Sequence, residues 1–197
     1  MNEVACTIRR AVPADAEPLA ELAARTFRDT FEADNRPEDM AEHLARSYGP
    51  ARQLAEITSA DVVTLLARCG GPAAFAQLRH GNAPGCVTSP RPIELWRFYV
   101  DRAWHGRGVA GRLMHAVLGE AAAEGAGAVW LGVWERNPRA SAFYRKYGFV
   151  DVGAQEFRLG ADVQTDRVMV RGLVPPPGAE PAAAPGRGLD DKSESRA

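Results

Sequence analysis

The residues best suited to chemistry lie in the stretch His105-Gly106-Arg107-Gly108-Val109-Ala110-Gly111. It stands between an apolar, strand-like run and a helix-like one. Small residues there let a ligand come close to the backbone. The first N–H groups of a helix have no intrahelical partner, and the helix dipole favours an anion beside them. Arg107 adds a positive charge. Such a turn suits a pyrophosphate, although the same residues also fit an ordinary glycine-rich connection.

The letters Gly106 to Gly111 also fit G-x-G-x-x-G, and Glu135 ends the next strand-like run about where a ribose-binding acid would lie. Two features count against a nicotinamide dinucleotide. The segment Asp101–His105 separates the strand from the first glycine, a loose spacing. Hairpins also stand where further parallel crossover units would be required.

A second constellation follows at Asn137–Gly148. Asn137 can cap a helix through its side-chain oxygen, Pro138 suits the first helical position, and Gly148 suits the exit. Asn137 and Tyr144 lie about two helical turns apart, on one face, with small Ala140 between them. That face can hold an amide-containing arm and offer a phenol to its tip. The alternative is that Asn137 only caps and Tyr144 only packs. Phe143 and Tyr147 fit a core. Cys86 and Ser141 have no evident paired base and are poor nucleophile candidates.

These groups need elements to position them. Val4–Arg10 reads as a first strand. Pro13-Ala14-Asp15 opens a helix carrying Leu19, Leu22, Ala23, Thr26 and Phe27 at helical spacing. Pro37 opens a second helix, and Ala51–Ile57 suggests a short third. Asp61–Arg68 and Ala73–Arg79 read as a hairpin about Gly70-Gly71-Pro72. Gly81–Pro92 reads as a loop. Ile93–Val100 is a strand whose alternation puts Glu94, Trp96 and Phe98 on one face. A helix from Gly108 to Glu124, a strand at Val129–Trp134, the helix opened by Asn137, and strands at Phe149–Leu159 and Gln164–Arg171 complete the order. The pattern predicts an α/β (α+β) domain, with one mixed sheet of about seven strands and helices on both faces.

The bulk numbers bound the classes. The chain has 197 residues, 46% hydrophobic and 25% charged, which is ordinary for one globular domain. A net charge of −1 gives no field to recruit nucleic acid or an anionic membrane. No apolar run reaches the length of a membrane span, and the start MNEVACTIRR has no apolar signal region. Cys6, Cys69 and Cys86 are an odd, widely spaced set, read as reduced structural thiols in a cytoplasm, with no metal cluster. The stretch 175–197 has only Leu189 as a large aliphatic residue and reads as a disordered tail beyond a folded body at 3–174. Monomer and homodimer both remain open.

Taken together, three segments resemble the GNAT superfamily of N-acetyltransferases. They are Arg97-Phe98-Tyr99-Val100, then His105-x-x-Gly108-x-Ala110, then Asn137-x-x-Ala140-x-x-Phe143-Tyr144-x-Lys146-x-Gly148-Phe149. His105 stands where that family usually has Gln or Arg. The stretches Thr26–Phe31, Asn35–Met40, Trp130–Asn137 and Gln164–Asp166 are similar to bacterial spermidine/spermine N-acetyltransferases of the PaiA kind. The resemblance implies a GNAT fold and acetyl-CoA as co-substrate. It implies that the backbone of Phe98, Tyr99 and Val100 pairs with the pantetheine arm, and that N–H groups of Arg107, Gly108, Val109, Ala110 and Gly111 take the pyrophosphate. It also implies that Asn137 contacts the arm or a water beside it and that Lys146 reaches the nucleotide phosphates.

The implied reaction is direct attack of a primary amine on the thioester in a ternary complex. The Val100 N–H faces the oxyanion, Tyr144 is the candidate general acid for the leaving sulfur, and Glu94 is the candidate base. Asp29, Glu32, Asp34, Glu38, Asp39 and Glu42 form an acidic stretch near the expected acceptor site, suited to a polyamine. The alternatives are another small amine, a protein N-terminus or lysine, or a coenzyme A-binding module without catalysis.

Overall fold

The computed structural model describes residues 5–159 and 162–173. The expected tail at 175–197, and the ends of the body at 3–4 and 174, lie outside the described residues.

The chain runs β1 (Thr7–Arg10), α1 (Ala16–Phe31), α2 (Pro37–Ser47), α3 (Pro50–Thr58), β2 (Val62–Arg68), β3 (Pro72–Arg79), β4 (Pro92–Val100), α4 (Val109–Ala123), β5 (Ala128–Trp134), α5 (Pro138–Lys146), β6 (Val150–Leu159) and β7 (Asp162–Gly172). Proline opens α2, α3 and α5, where its missing N–H costs nothing. The strands form one seven-stranded mixed sheet in the order β1-β2-β3-β4-β5-β7-β6. Among the described residues only β4 and β5 pair in parallel, and α4 is the crossover that a parallel pair requires.

Two cores cover the two faces. On one, Leu113, Met114, Val117 and Ala121 of α4 meet Leu65, Ala76, Leu78, Ile93, Leu95, Val129 and Leu131 of the sheet. On the other, Leu19, Leu22, Ala23 and Phe27 of α1 and Met40 of α2 meet Leu66 and Phe75. Among the described residues no helix is long and apolar enough to cross a membrane.

Strand β4 does not keep one alternation throughout. Gln77 of β3 pairs with Arg97, but Leu78 pairs with Leu95, so Trp96 is an extra residue. This bulge reverses the parity of the strand. Ile93 and Leu95 belong to the α4 core, and after the bulge Phe98 and Val100 join it. Trp96 instead lies between two guanidinium groups, with Arg79 at 4.1 Å and Arg97 at 3.8 Å from its ring centroid. The expectation that Glu94, Trp96 and Phe98 share a face is therefore corrected for Phe98.

Arg97 is buried on the α1–α3 side. It donates to Glu56 of α3 at 2.6 Å and to the Gln77 side-chain oxygen at 2.7 Å. Gln77 in turn donates to Glu56 at 3.0 Å.

The cysteines also depart from expectation. Cys6 and Cys69 form a disulfide. Thr7 pairs with Arg68 across β1 and β2, so the residues just outside the ladder face each other, at a Cα separation of 4.2 Å. A sequence separation of 63 conceals that proximity. The reading as reduced thiols holds only for Cys86, and the thiols lend no support to a cytoplasmic setting.

Candidate active site

The site begins where two strands part. β4 and β5 pair only from Pro92–Glu94 against Ala128–Trp130. Beyond that point β4 continues on β3 as far as Val100, and β5 continues on β7 as far as Trp134. The facing edges diverge, and the gap opens into a cleft of about 670 Å³. Leu95–Val100 on one wall and Gly132–Trp134 on the other line it. The backbone of β4 along this wall has no strand partner on the cleft side, so it can bond an extended amide chain as an added strand would.

The turn that follows β4 is fixed at both ends. Asp101 accepts the Ala103 N–H at 2.9 Å and an Arg25 guanidinium N–H from α1 at 2.6 Å. His105 folds back, with Nε2 2.9 Å from the Val100 carbonyl oxygen. Gly106 and Gly108 then take φ of +75° and +77°, which glycine adopts without a Cβ clash. The first intrahelical bond of α4 runs from the Arg112 N–H to Gly108 O at 3.2 Å. The N–H groups of Val109, Ala110 and Gly111 precede it and are the orphan donors of the helix start. Val109 turns its side chain into the core. Arg107 lies over the Trp104 ring at 5.4 Å. Gly111 has its own reason to be small: a Cβ there would meet the Tyr147 hydroxyl at 2.7 Å. These features fit a diphosphate: N–H groups without an intrahelical partner stand at a helix start, and the Arg107 cation is adjacent.

Helix α5 forms the far wall. Asn137 Oδ1 accepts the Ala140 N–H at 3.0 Å, capping the helix, and Asn137 also lines the cleft with Ala140, Phe143 and Tyr144. Capping and lining are thus compatible roles. The Tyr144 ring is buried beside Phe98 and Phe149, while its hydroxyl has no hydrogen-bond partner among the described residues. Burial raises its pKa above the usual tyrosine value, so the phenol stays protonated.

Of the expected residues, Phe98, Tyr99, Val100, His105, Ala110, Asn137, Ala140 and Tyr144 come together around this cleft. Lys146 does not: it is exposed at the end of α5. Glu94 is likewise absent from the cleft lining. Its carboxylate is paired with Arg79 at 2.6 Å. Burial raises the Glu94 carboxyl, and Arg79 only partly opposes that. Of the acidic stretch, Asp29 and Asp34 line the cleft, together with Arg97, Arg102, Arg136 and Arg139. Asp39 is turned toward Arg36 at 3.3 Å. The lip as a whole is therefore not negative.

Several lining residues carry no motif. Arg102 and Arg139 are surface-type residues whose position depends on how the strands diverge. Gly132 did leave a signal, since a glycine inside a strand often marks a close approach. Among the described residues no group of three or more His, Cys, Asp or Glu gathers to hold a metal ion.

Comparison with known proteins agrees with this geometry. Residues 18–149 match the acetyltransferase (GNAT) family model. An uncharacterised N-acetyltransferase of Mycobacterium tuberculosis (strain ATCC 25618 / H37Rv) is 40% identical over 161 residues, which cover 81% of this chain and 99% of that protein. The crystal structure of the PaiA N-acetyltransferase from Thermoplasma acidophilum in complex with coenzyme A superposes with a TM-score of 0.68 at 19% identity, covering 86% of this chain and 99% of that one. The ribosomal-protein-S18-alanine N-acetyltransferase from Escherichia coli superposes with a TM-score of 0.64 at 15% identity, covering 89% and 99%. At such identities the two structures speak for the fold alone. The family match and the mycobacterial relative go further: this chain belongs to the acetyltransferase (GNAT) family and is an N-acetyltransferase.

Proposed function

We propose that the protein transfers the acetyl group of acetyl-CoA to a primary amine of a polyamine such as spermidine or spermine, by direct attack in a ternary complex. The observation that carries this reading is the parting of β4 and β5 beside the orphan N–H groups of α4. Acetyl-CoA supplies an acyl group already activated as a thioester. The α4 N-terminus takes its diphosphate, with Arg107 adjacent. The Phe98–Val100 backbone bonds the pantetheine amides, and Asn137 faces them from α5.

In this reading the Val100 N–H stabilises negative charge on the thioester carbonyl oxygen. Tyr144 gives a proton to the departing sulfur. A phenol held protonated by burial and unpaired at the cleft suits that task. Asp29 and Asp34 on the lip bind a second ammonium of the polyamine, while Arg102 and Arg139 serve the nucleotide end.

The test is a panel of spermidine, spermine, putrescine, amino acids and peptides with acetyl-CoA, followed by thiol release. A preference for spermidine or spermine of at least about tenfold in kcat/KM, or ~1.4 kcal/mol, supports the polyamine reading. Equal rates across the panel, or a preference for a peptide N-terminus, would overturn it and leave the acetyltransferase assignment in place.

A further inference from the structure

The sheet face under α1 and α2 carries a carboxylate with no role in the site described so far. Asp166 of β7 stands opposite Trp134 of β5 and opposite Gln155 of β6. Alternation fixes its side: Val168 and Val170 pack with Trp130 and Ala128, on the face away from α4. Gly132 is the next residue of β5 on that face. A Cβ at Gly132 would lie 3.0 Å from Asp166 Oδ2 and 2.8 Å from Gln155 Nε2. The carboxylate therefore leans over bare backbone, in space any other residue would fill. Gly132 and Trp134 both line the cleft, with Phe31 and Asp34 on the same side of the sheet, so the Asp166 carboxylate lies next to lining residues without being one itself.

Its isolation is the second observation. The other shielded carboxylates hold arginines: Asp15 with Arg9, Glu56 with Arg97, Glu94 with Arg79, Asp101 with Arg25. Asp166 has no hydrogen-bond or ion-pair partner among the described residues. Among the titratable groups of the neighbouring elements, Asp34, His43, Cys86, Glu94, Arg97, Glu135, Arg136, Glu156 and Arg167, none bonds to it. Burial alone raises its carboxyl to about 6. An unpartnered, half-buried carboxylate carries a desolvation cost that an arriving cation relieves.

We propose that Asp166 receives the reacting ammonium of the acceptor amine and takes its proton, a step that rests on the amine-acetyltransferase reading above. One proton passes from the ammonium to the Asp166 carboxylate. The freed lone pair forms the C–N bond, and the C–S bond breaks with its electron pair on sulfur. Tyr144 protonates that sulfur and is replenished by the second proton the nitrogen loses on becoming an amide. Asp166 then returns its proton to water.

The test compares wild type, Asp166→Asn and Gly132→Ala, using whichever of spermidine, spermine, putrescine, glycine or an alanyl peptide gives the largest thiol release. Asp166→Asn is expected to lower kcat/KM for the amine by about 100-fold or more. KM for acetyl-CoA and calorimetric affinity for coenzyme A should stay within about twofold. The wild-type fall in kcat/KM below about pH 6 should vanish in that variant. Gly132→Ala keeps the charge but displaces it slightly, and should lower amine kcat/KM by a smaller factor, again without weakening coenzyme A binding. If Asp166→Asn retains amine kcat/KM within about threefold, or loses coenzyme A binding as well, the assignment is overturned while the enzyme reading stands. If wild type binds acetyl-CoA but releases thiol with no amine, the amine reading falls and takes this assignment with it.

Discussion

His105 Nε2 lies 2.9 Å from the carbonyl oxygen of Val100. One contact thus ties the end of β4 to the turn that leads into α4. The family usually places Gln or Arg there. In this chain the imidazole works on the protein's own backbone, as a brace between the end of β4 and the turn.

His105→Ala should remove that brace without removing a phosphate donor. Loss of one hydrogen bond of ~0.5–1.5 kcal/mol predicts acetyl-CoA affinity about 2- to 12-fold weaker. Calorimetric titration reads this directly. Unchanged affinity would mean that the turn holds its shape through Asp101 and the two positive-φ glycines alone.

Tyr144→Phe keeps the ring in its aromatic cluster and deletes only the hydroxyl. General acid catalysis predicts a fall in kcat of ~10²–10⁴ with little change in KM for acetyl-CoA. A fall of less than about threefold would remove the acid role and leave Tyr144 as packing.

Gly108→Val acts on the cradle itself. At φ +77° a β-branched residue costs about 1–2 kcal/mol, and relaxation of the turn rotates the N–H groups away from a diphosphate. Coenzyme A affinity should fall by about tenfold or more. Weakening shared equally by coenzyme A and 3′-dephospho-coenzyme A would locate the defect at the diphosphate.

Glu56→Ala tests the buried network behind the cleft. Glu56 and Arg97 are 4% and 7% exposed, so the deletion strands a buried guanidinium. Removing one partner of a buried pair costs about 3–5 kcal/mol. Urea unfolding should show that as a lower midpoint. Replacing both residues by apolar ones of similar volume should recover much of it.

Reducing the Cys6–Cys69 disulfide should lower stability without touching the cleft. The bridge closes a loop with a sequence separation of 63, and constraining an unfolded chain over such a loop is worth roughly 2–4 kcal/mol. Thermal unfolding with and without reductant measures it, while coenzyme A affinity of the folded protein should not change.

The sequence by itself determined the elements and the family. Strand alternation, proline at helix starts and glycine at the phosphate turn are local signals, and each survives in the folded chain because its cause lies within a few residues. His105–Gly111 and Asn137–Tyr144 were legible for that reason: a helix start creates its own donors, and helical spacing sets a shared face. Fold and family followed from the order of those signals.

The surroundings of Phe98, Glu94, Cys6 and Asp166 were decided only in three dimensions. The bulge at Trp96 turned Phe98 away from Glu94, and it arises from pairing with β3 rather than from any residue of β4 alone. Arg79 captured Glu94 because two strands came into register. Cys6 met Cys69 across a ladder, and Asp166 came to rest over Gly132 because β7 lies beside β5. Each of these contacts joins residues far apart in the chain, where local propensity carries no information and strand order decides which side chains meet.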